Sequence, residues 1–327
     1  MKMIKTEREK SVVHPDWPEA TWHISGLYKH QFFLSIFINQ MNSHKLDHVL
    51  GSFQVCPDLA WTGGHLSANV PNMDSSKFFN DLNQINIGVF LTFTNLLLEK
   101  AHLSNTEANQ ILEQLDEKCG LNGVVVASDL LSDYIRNKKP GLKQICSFEK
   151  GLIENPKGEI DWYKKMQERF DRVIIFPDHL FNLDLLEQLD RDRTEILVND
   201  ECVYRCPIRK RHLAAMSRFN VQPSPRTLEE LKDIKQNHCS GELGIISEKK
   251  NPAHVRSCFL RYQELKTIYD MGFRNFRICG QRKPIFGLAW DVTHFVYNPA
   301  LAYIFATVYA HKINENFRKG FNNIKEG

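Results

Sequence analysis

Two cysteines four residues apart are the most distinctive chemical feature of this 327-residue sequence. Cys202 and Cys206 lie in the stretch EILVNDECVYRCPIRKRH, where an apolar run ends at Asn199 and a polar turn leads to Pro207. Thiolates are soft ligands that suit zinc and iron–sulfur centres. Basic residues and a helix N-terminus beside them would favour the thiolate form. The spacing predicts a metal or redox centre here, with two merely structural thiols as the alternative.

The spacing also excludes several common cysteine sites. No C-x-x-C pair occurs, so a zinc finger or ribbon built from two such pairs is not expected. The run of closely spaced cysteines that marks a bacterial ferredoxin is absent as well. A radical-SAM loop would need a third cysteine three residues after Cys206, and that position is Arg209. Any metal at this turn must therefore take further ligands from distant parts of the chain.

The chain has eight cysteines, too few and too dispersed for a small disulfide scaffold. Cys56 follows a predicted strand, and Cys239 lies in a long insertion, so both can reach the same end of the fold as the cysteine pair. For either residue alone, an unliganded thiol is an equal alternative. The predicted metal ligands are Cys56, Cys202, Cys206 and Cys239, with Cys279 and then Cys258 as substitutes and Cys119 and Cys146 as structural thiols.

Polar residues around the pair are candidates for binding substrate or supporting the metal. Asn199 ends the strand and could hydrogen-bond a ligand. Basic residues follow Cys202, and they could bind an anionic substrate or simply form a solvated first helical turn. His238, next to Cys239, could ligate or be exposed. The basic set is Arg205, Arg209, Lys210, Arg211 and His212.

Short apolar runs followed by helix-like runs recur along the chain, which indicates parallel βαβ units. Eight such runs favour a (β/α)8 TIM-like barrel, whose chemistry lies at the carboxyl ends of its strands. An open doubly wound sheet is the alternative, weakened because no G-x-G-x-x-G follows the first strand. The predicted strands are 32–39, 47–53, 85–93, 123–127, 142–147, 172–176, 194–199 and 273–279.

The strand count also sets the predicted domain organisation. Length alone suggests about two domains. The strand pattern instead predicts an N-terminal extension over 1–30 and one barrel domain over 31–327 that includes C-terminal helices. A long insertion, about 213–259, separates the seventh and eighth strands and is longer than an ordinary connection. The net charge of +3 is not a polycationic nucleic-acid signature.

The sequence carries no sign of a secretory signal or a membrane span. Its first residues are charged and lack an apolar core, and no run of about 18 apolar residues occurs. We therefore expect a cytoplasmic protein. In a reducing compartment, clustered cysteines favour metal or redox chemistry over disulfides.

Five stretches resemble the collagenase-like peptidase U32 family. The first is TEILVNDECVYRCPIRKRH, and the second is RSCFLRYQELKTIYDMGFRNFRICGQRK, which ends in Gly280 with Gln281 and Arg282. The upstream order NGVVVASDLLSDYI, KQICSFEKG and RVIIFPDHLFNLDLLEQL is similar too. The resemblance covers roughly 120–285. It implies a barrel holding a 4Fe–4S cluster on four cysteines, of which Cys202, Cys206 and Cys239 match late cysteines of the family.

The family resemblance leaves three functions open. Relatives act in oxygen-independent hydroxylation of RNA bases or quinone precursors, which implies a redox enzyme for an RNA base or a small aromatic or anionic substrate. A zinc-dependent barrel hydrolase or lyase could use the same thiols. The third is a non-catalytic iron–sulfur subunit that binds another U32-like chain. Peptidase activity is not expected, because no G-x-S-x-G or H-E-x-x-H motif is present. The late cysteine spacing and the short C-terminus differ from longer relatives, so the substrate stays open.

Overall fold

The computed structural model describes residues 12–44, 49–57, 59–63, 75–234, 236 and 256–325, and of 317–325 only the backbone. Its strands are β1 (Thr21–Ser25), β2 (Leu50–Val55), β3 (Gly88–Phe93), β4 (Gly123–Val126), β5 (Lys143–Cys146), β6 (Arg172–Ile174), β7 (Thr194–Leu197), β8 (Asn199–Val203), β9 (Ser257–Phe259) and β10 (Asn275–Ile278). Eight of them close a barrel in the order β1-β10-β7-β6-β5-β4-β3-β2. All the barrel pairs are parallel. The predicted (β/α)8 barrel is confirmed.

Helices surround the barrel, and several begin after an asparagine or serine, residue types that favour the N-cap position. Asn105, Ser128 and Asn182 each accept a hydrogen bond from a backbone N–H in the first turn of the following helix. The helices are α1 (Gln31–Ser43), α2 (Ser76–Gln84), α3 (Thr106–Glu113), α4 (Asp129–Lys138), α5 (Phe148–Glu154), α6 (Ile160–Arg169), α7 (Leu183–Glu187), α8 (Arg209–Val221), α9 (Pro225–Asp233), α10 (Tyr262–Asp270), α11 (Ile285–Val296) and α12 (Pro299–Lys325).

The first predicted strand is wrong. Residues 32–39 belong to the helix α1, in which Phe33, Phe37 and Met41 recur every four residues and are buried. A short apolar run has the same composition in a strand and in a buried helix, so the run alone was ambiguous. The first barrel strand is β1, which lies inside the stretch 1–30 that we predicted to be an extension. The other seven predicted strands overlap β2 to β7 and β10.

Polar side chains in the barrel interior explain why β1 was missed. His23 of β1 is completely buried, and its Nδ1 hydrogen-bonds Ser52 Oγ at 2.8 Å. Arg172 Nη1 donates to His23 Nε2 at 3.0 Å, and Arg172 also pairs with the buried Glu195, with Nε and Oε2 3.4 Å apart. Glu195 forms a second, closer ion pair with Arg277. Because the buried His23 of β1 is polar, the sequence of β1 is not a continuous apolar run.

The chain after β7 folds across the carboxyl end of the barrel. β8 and β9, which α8 and α9 separate in the chain, pair antiparallel and form a two-stranded sheet outside the barrel, called the β8–β9 hairpin below for its antiparallel pairing alone. Asn199 anchors this hairpin: its Nδ2 donates to Cys279 O at 2.9 Å and to Asp291 Oδ2 at 2.7 Å. The predicted insertion 213–259 contains most of α8, all of α9, and β9. None of the described helices is long and apolar enough to cross a membrane.

Candidate metal centre

The cysteine pair lies at the end of the β8–β9 hairpin. Cys202 is on β8, and Cys206 follows a tight turn in which Arg205 has φ of 55°. The backbone N–H of Arg205 donates to Asp178 Oδ1 at 3.0 Å, and that of Cys206 donates to Val203 O at 3.1 Å. These bonds hold the turn above the carboxyl end of β6. The turn is therefore at the barrel end where the sequence predicted chemistry.

Cys202 and Cys206 interact directly. The Cys202 thiol donates a hydrogen bond to the Cys206 sulfur, and this bond lowers the pKa of Cys206. Backbone N–H groups of Ile208 and Arg209, and the Arg209 charge, act in the same direction. The same hydrogen bond and burial raise the pKa of Cys202. Cys206 therefore ionises more readily than Cys202, and a thiolate is the form that binds a metal.

Arg209 connects this pair to a third cysteine. Its side chain is only 5% exposed, and Nη2 donates to Cys258 Sγ at 3.2 Å and to Val203 O at 2.8 Å. Nη1 lies 3.2 Å from Asp178 Oδ1, to which the Cys258 thiol also donates at 3.3 Å. Burial alone would lower the pKa of Arg209, but Cys202, together with Asp200, Cys258 and Asp178, raises it.

Cys258 is kept as a thiol in this arrangement. Burial raises its pKa to about 12, although the Arg209 charge and its hydrogen bond oppose the change. A metal ion would displace this proton, because only the thiolate is a good ligand. Cys258 was predicted only as the second substitute, and it lies closer to the pair than its sequence distance suggests. The hairpin pairing brings it there, since Cys258 is on β9 opposite β8.

The remaining predicted ligands have other environments or lie outside the described residues. Cys56 is buried after β2, and both β1 and β10 separate that strand from β7. Cys279 follows β10 and is half-buried; its Sγ donates to Gln281 Oε1 at 3.7 Å. Cys239 and His238 lie outside the described residues. The structure thus connects Cys258 to the pair through Arg209, without gathering the three described thiols as a ready set of metal ligands.

The predicted basic residues have different environments. Arg205 is exposed, and its guanidinium lies 5.0 Å from the centre of the Tyr204 ring. Lys210 is exposed, His212 is buried in α8, and Arg211 lies 3.7 Å from Asp233 at the surface. Of this set, Arg209 contacts the cysteine site. Arg209 therefore belongs to the cysteine site, whereas Lys210 and Arg211 lie on the solvated face of α8.

Asp178 was missed by sequence reasoning. It lies directly after Pro177, in the stretch RVIIFPDH at the carboxyl end of β6. An acidic residue at a barrel strand end is a candidate for chemistry by position alone. Its carboxylate contacts the Arg205 backbone, Arg209 and Cys258. The strand-end rule, applied to every strand, would have found it.

The thiols fit a thiolate-bound metal in donor type. Within the described ranges, no three side chains among His, Cys, Asp and Glu are already gathered as a set of metal ligands. Arg209 lies close to both Cys258 and Cys202, so its side chain occupies space that a shared metal would need. The seven described cysteines are all free of disulfides. The site therefore consists of an adjacent thiol pair and a third thiol connected through a guanidinium.

Comparisons with known proteins agree with this architecture. No protein-family model matches the chain. The chain is 26% identical over 268 residues to the uncharacterized protease MJ1657 of Methanocaldococcus jannaschii, covering 77% of this chain and 75% of that protein. The structure of this chain is similar to that of the U32 peptidase Mk0906, with a TM-score of 0.50 and 13% sequence identity. The match covers 81% of this chain and 94% of that one. The resemblance to a U32-type barrel predicted from the sequence is confirmed.

Proposed function

We propose that the protein is an iron–sulfur protein of the U32-like barrel type and that Cys202, Cys206 and Cys258 bind the cluster. The observation that supports this proposal is the grouping of three thiols around one buried arginine. Two of the thiols share a hydrogen bond, and the third receives one from Arg209. Cubane clusters take cysteine thiolates as ligands. The fourth ligand we propose is Cys239, which lies in the segment that joins α9 to β9.

The chain's own residues have defined tasks around such a cluster. Arg209 would supply a positive charge beside the thiolates, but its side chain would first have to leave the space next to Cys258 and Cys202 that a shared cluster needs. Asn199 would keep the hairpin fixed on the barrel through Cys279 and Asp291. When bound, a cluster would supply electron transfer. Removal of the Asn199 amide would therefore loosen the ligand-bearing hairpin without removing a ligand.

The reaction class that we propose is redox chemistry, on an RNA base or a small aromatic substrate, in the cytoplasm. The sequence resemblance to the U32 family and the soft sulfur donors of the cysteines support this class. A partner chain of the same type could supply or receive electrons. The zinc-dependent alternative uses the same thiols, and metal analysis separates the two.

Anaerobic purification followed by iron, sulfide and zinc analysis tests the assignment. Cys202→Ser, Cys206→Ser and Cys258→Ser should each lose iron and sulfide, because a serine oxygen is a poor replacement for a thiolate at an iron–sulfur cluster. Cys119→Ser is the matched control, since its thiol donates to Asp116 O, 3.2 Å away, in the turn that joins α3 to β4. That variant should retain the wild-type iron content.

Two outcomes would contradict the proposal. Equal iron in Cys206→Ser and Cys119→Ser would refute the ligand assignment. Stoichiometric zinc without acid-labile sulfide in the wild-type protein would favour the zinc alternative. Cys56→Ser adds a further discrimination: retained iron supports Cys258 as the third ligand, whereas lost iron would return Cys56 to the ligand set.

A further inference from the structure

A cavity of about 70 Å³ opens at the barrel mouth next to the cysteine hairpin. Glu149 and Phe148 from the start of α5 line one side, and Asn199 lines another. By volume it holds on the order of five water molecules, which is the size of a small functional group. Its other lining residues are Leu197, Asp200, Glu201, Leu213, Cys279, Gln281, Arg282 and Lys283.

Glu149 is the unusual member of this lining. Its side chain is only 7% exposed although it lies beside the cavity, and burial raises the pKa of its carboxyl. The Ser147 hydroxyl, the Arg277 charge and the Thr94 hydroxyl act against that increase. Burying a carboxylate is costly unless hydrogen bonds or charges compensate. A ligand that donates a hydrogen bond to Glu149 would stabilise its ionised form, which burial disfavours.

Several buried polar atoms beside Glu149 also have unfilled hydrogen-bonding capacity. The hydroxyl oxygens of Ser147 and Thr94, each 1% exposed, make no hydrogen bond of good geometry to other side chains or backbone. The same holds for Nη2 of Arg277, whose Nε pairs with Glu195 below. Buried polar groups are nearly always satisfied by protein, water or ligand. The end of the barrel interior is therefore prepared to receive polar atoms.

The charges around the cavity favour a neutral ligand. Three carboxylates line it, those of Glu149, Asp200 and Glu201, against the two cations Arg282 and Lys283. Lys283 is already paired with Glu201 and Asp291. An anion would therefore face an excess of negative charge. A neutral group that donates to Glu149 and accepts from the exposed Arg282 is electrostatically matched.

We propose that this cavity binds a neutral carboxamide-like group, whose N–H donates to the Glu149 carboxylate and whose attached apolar part packs against Phe148. The two residues proposed to contact the ligand, Glu149 and Phe148, come from α5, whereas Cys202 lies on β8, which lines another side of the cavity. Glu149 binds and orients this group. A carboxamide is small enough for the cavity and carries both a donor and an acceptor.

Benzamide is the probe that tests the proposal, by ligand-detected saturation-transfer NMR with the full-length protein. Benzamide should bind; N,N-dimethylbenzamide, which lacks the N–H, and benzoate, which is an anion, should bind at least about fivefold more weakly. Glu149→Gln should weaken benzamide binding by about fivefold, because a hydrogen bond to a charged acceptor is stronger than one to a neutral acceptor. Phe148→Leu should weaken all three ligands in parallel through lost contact with the ring.

Matched controls separate this proposal from that of the metal centre. Glu168→Gln changes an exposed glutamate at the opposite end of the barrel and should leave benzamide binding unchanged. Cys206→Ser should also retain binding even when it loses iron. Absence of benzamide binding to the wild-type protein, or equal binding of benzamide and its N,N-dimethyl form, would overturn the proposal. If Glu149→Gln does not fold, the ligand series with wild type and Phe148→Leu decides.

Discussion

The buried Glu195 carboxylate is the counter-charge for two arginines inside the barrel. Arg277 pairs with its Oε1, and Arg172 Nε lies 3.4 Å from its Oε2. Burial alone would raise the pKa of Glu195, but Arg277 and its neighbours lower it to about 2. The difference from the ordinary value of 4.5 corresponds to about 3 kcal/mol. Removing one partner of a buried ion pair typically costs about 3–5 kcal/mol, which agrees.

Glu195→Gln should therefore lower the free energy of unfolding by about 3 kcal/mol at neutral pH. The amide has nearly the same shape, so the loss reports the charge rather than a cavity. With a urea m-value of about 3 kcal/mol per molar for a chain of this size, the unfolding midpoint should fall by about 1 M. Urea titration followed by circular dichroism measures this shift. The exposed Glu168→Gln is the matched control and should shift the midpoint by much less.

A double-mutant cycle shows whether the charge is the cause. The double variant Glu195→Gln/Arg277→Gln removes the carboxylate and one of its two arginine partners. Only the Arg172 charge then remains without its counter-charge. The double variant should lose at least about 1 kcal/mol less than the sum of the two single losses. If Glu195→Gln unfolds within about 0.5 kcal/mol of wild type, or if the two losses simply add, the buried arginines do not depend on this carboxylate.

Two further predictions concern the same barrel. His23 accepts from Arg172, and burial lowers its pKa from 6.5 to about 3. The unfolded chain therefore takes up this proton first, and stability should fall by about 2 kcal/mol on acidification from pH 6.5 to about pH 5. His23→Gln should remove that part of the loss in urea titrations at the two pH values; an unchanged difference would contradict it. Gly123→Ala would place a methyl 2.3 Å from Lys143 O and should cost about 1–3 kcal/mol, whereas Gly151→Ala, with no neighbour nearer than 3.6 Å, should not destabilise. Equal thermal unfolding temperatures for both glycine variants would refute this packing argument.

Local sequence signals predicted most of the architecture because they depend on neighbours in the chain. Asn105, Ser128 and Asn182 cap helices because their side chains accept from N–H groups three residues ahead. Gly272 follows α10 with φ of 100°, a conformation that favours glycine at a helix end. The apolar strands β3 to β5 were recognisable because both of their faces are covered.

The errors arose where burial and hydrophobicity disagree. β1 places His23 and Ser25 in a polar barrel interior, so its sequence does not indicate a buried strand. α1 is apolar enough to be mistaken for a strand because α12 packs on its outer side. No composition rule separates these cases, since the environment of each segment is created by elements far away in the chain.

The candidate centre divides in the same way. The four-residue spacing of Cys202 and Cys206 keeps both thiols on one turn in the fold, so the sequence alone determined that pair. Which distant cysteine joins them was decided by the antiparallel pairing of β8 with β9, which brings Cys258 to Arg209 across 49 residues of chain. Cys56, whose strand end is equally well placed in the sequence pattern, lies beyond two intervening strands of the closed barrel. Spacing along the chain determines contacts within a turn, whereas contacts between strand ends exist only once the barrel has closed and its order is set.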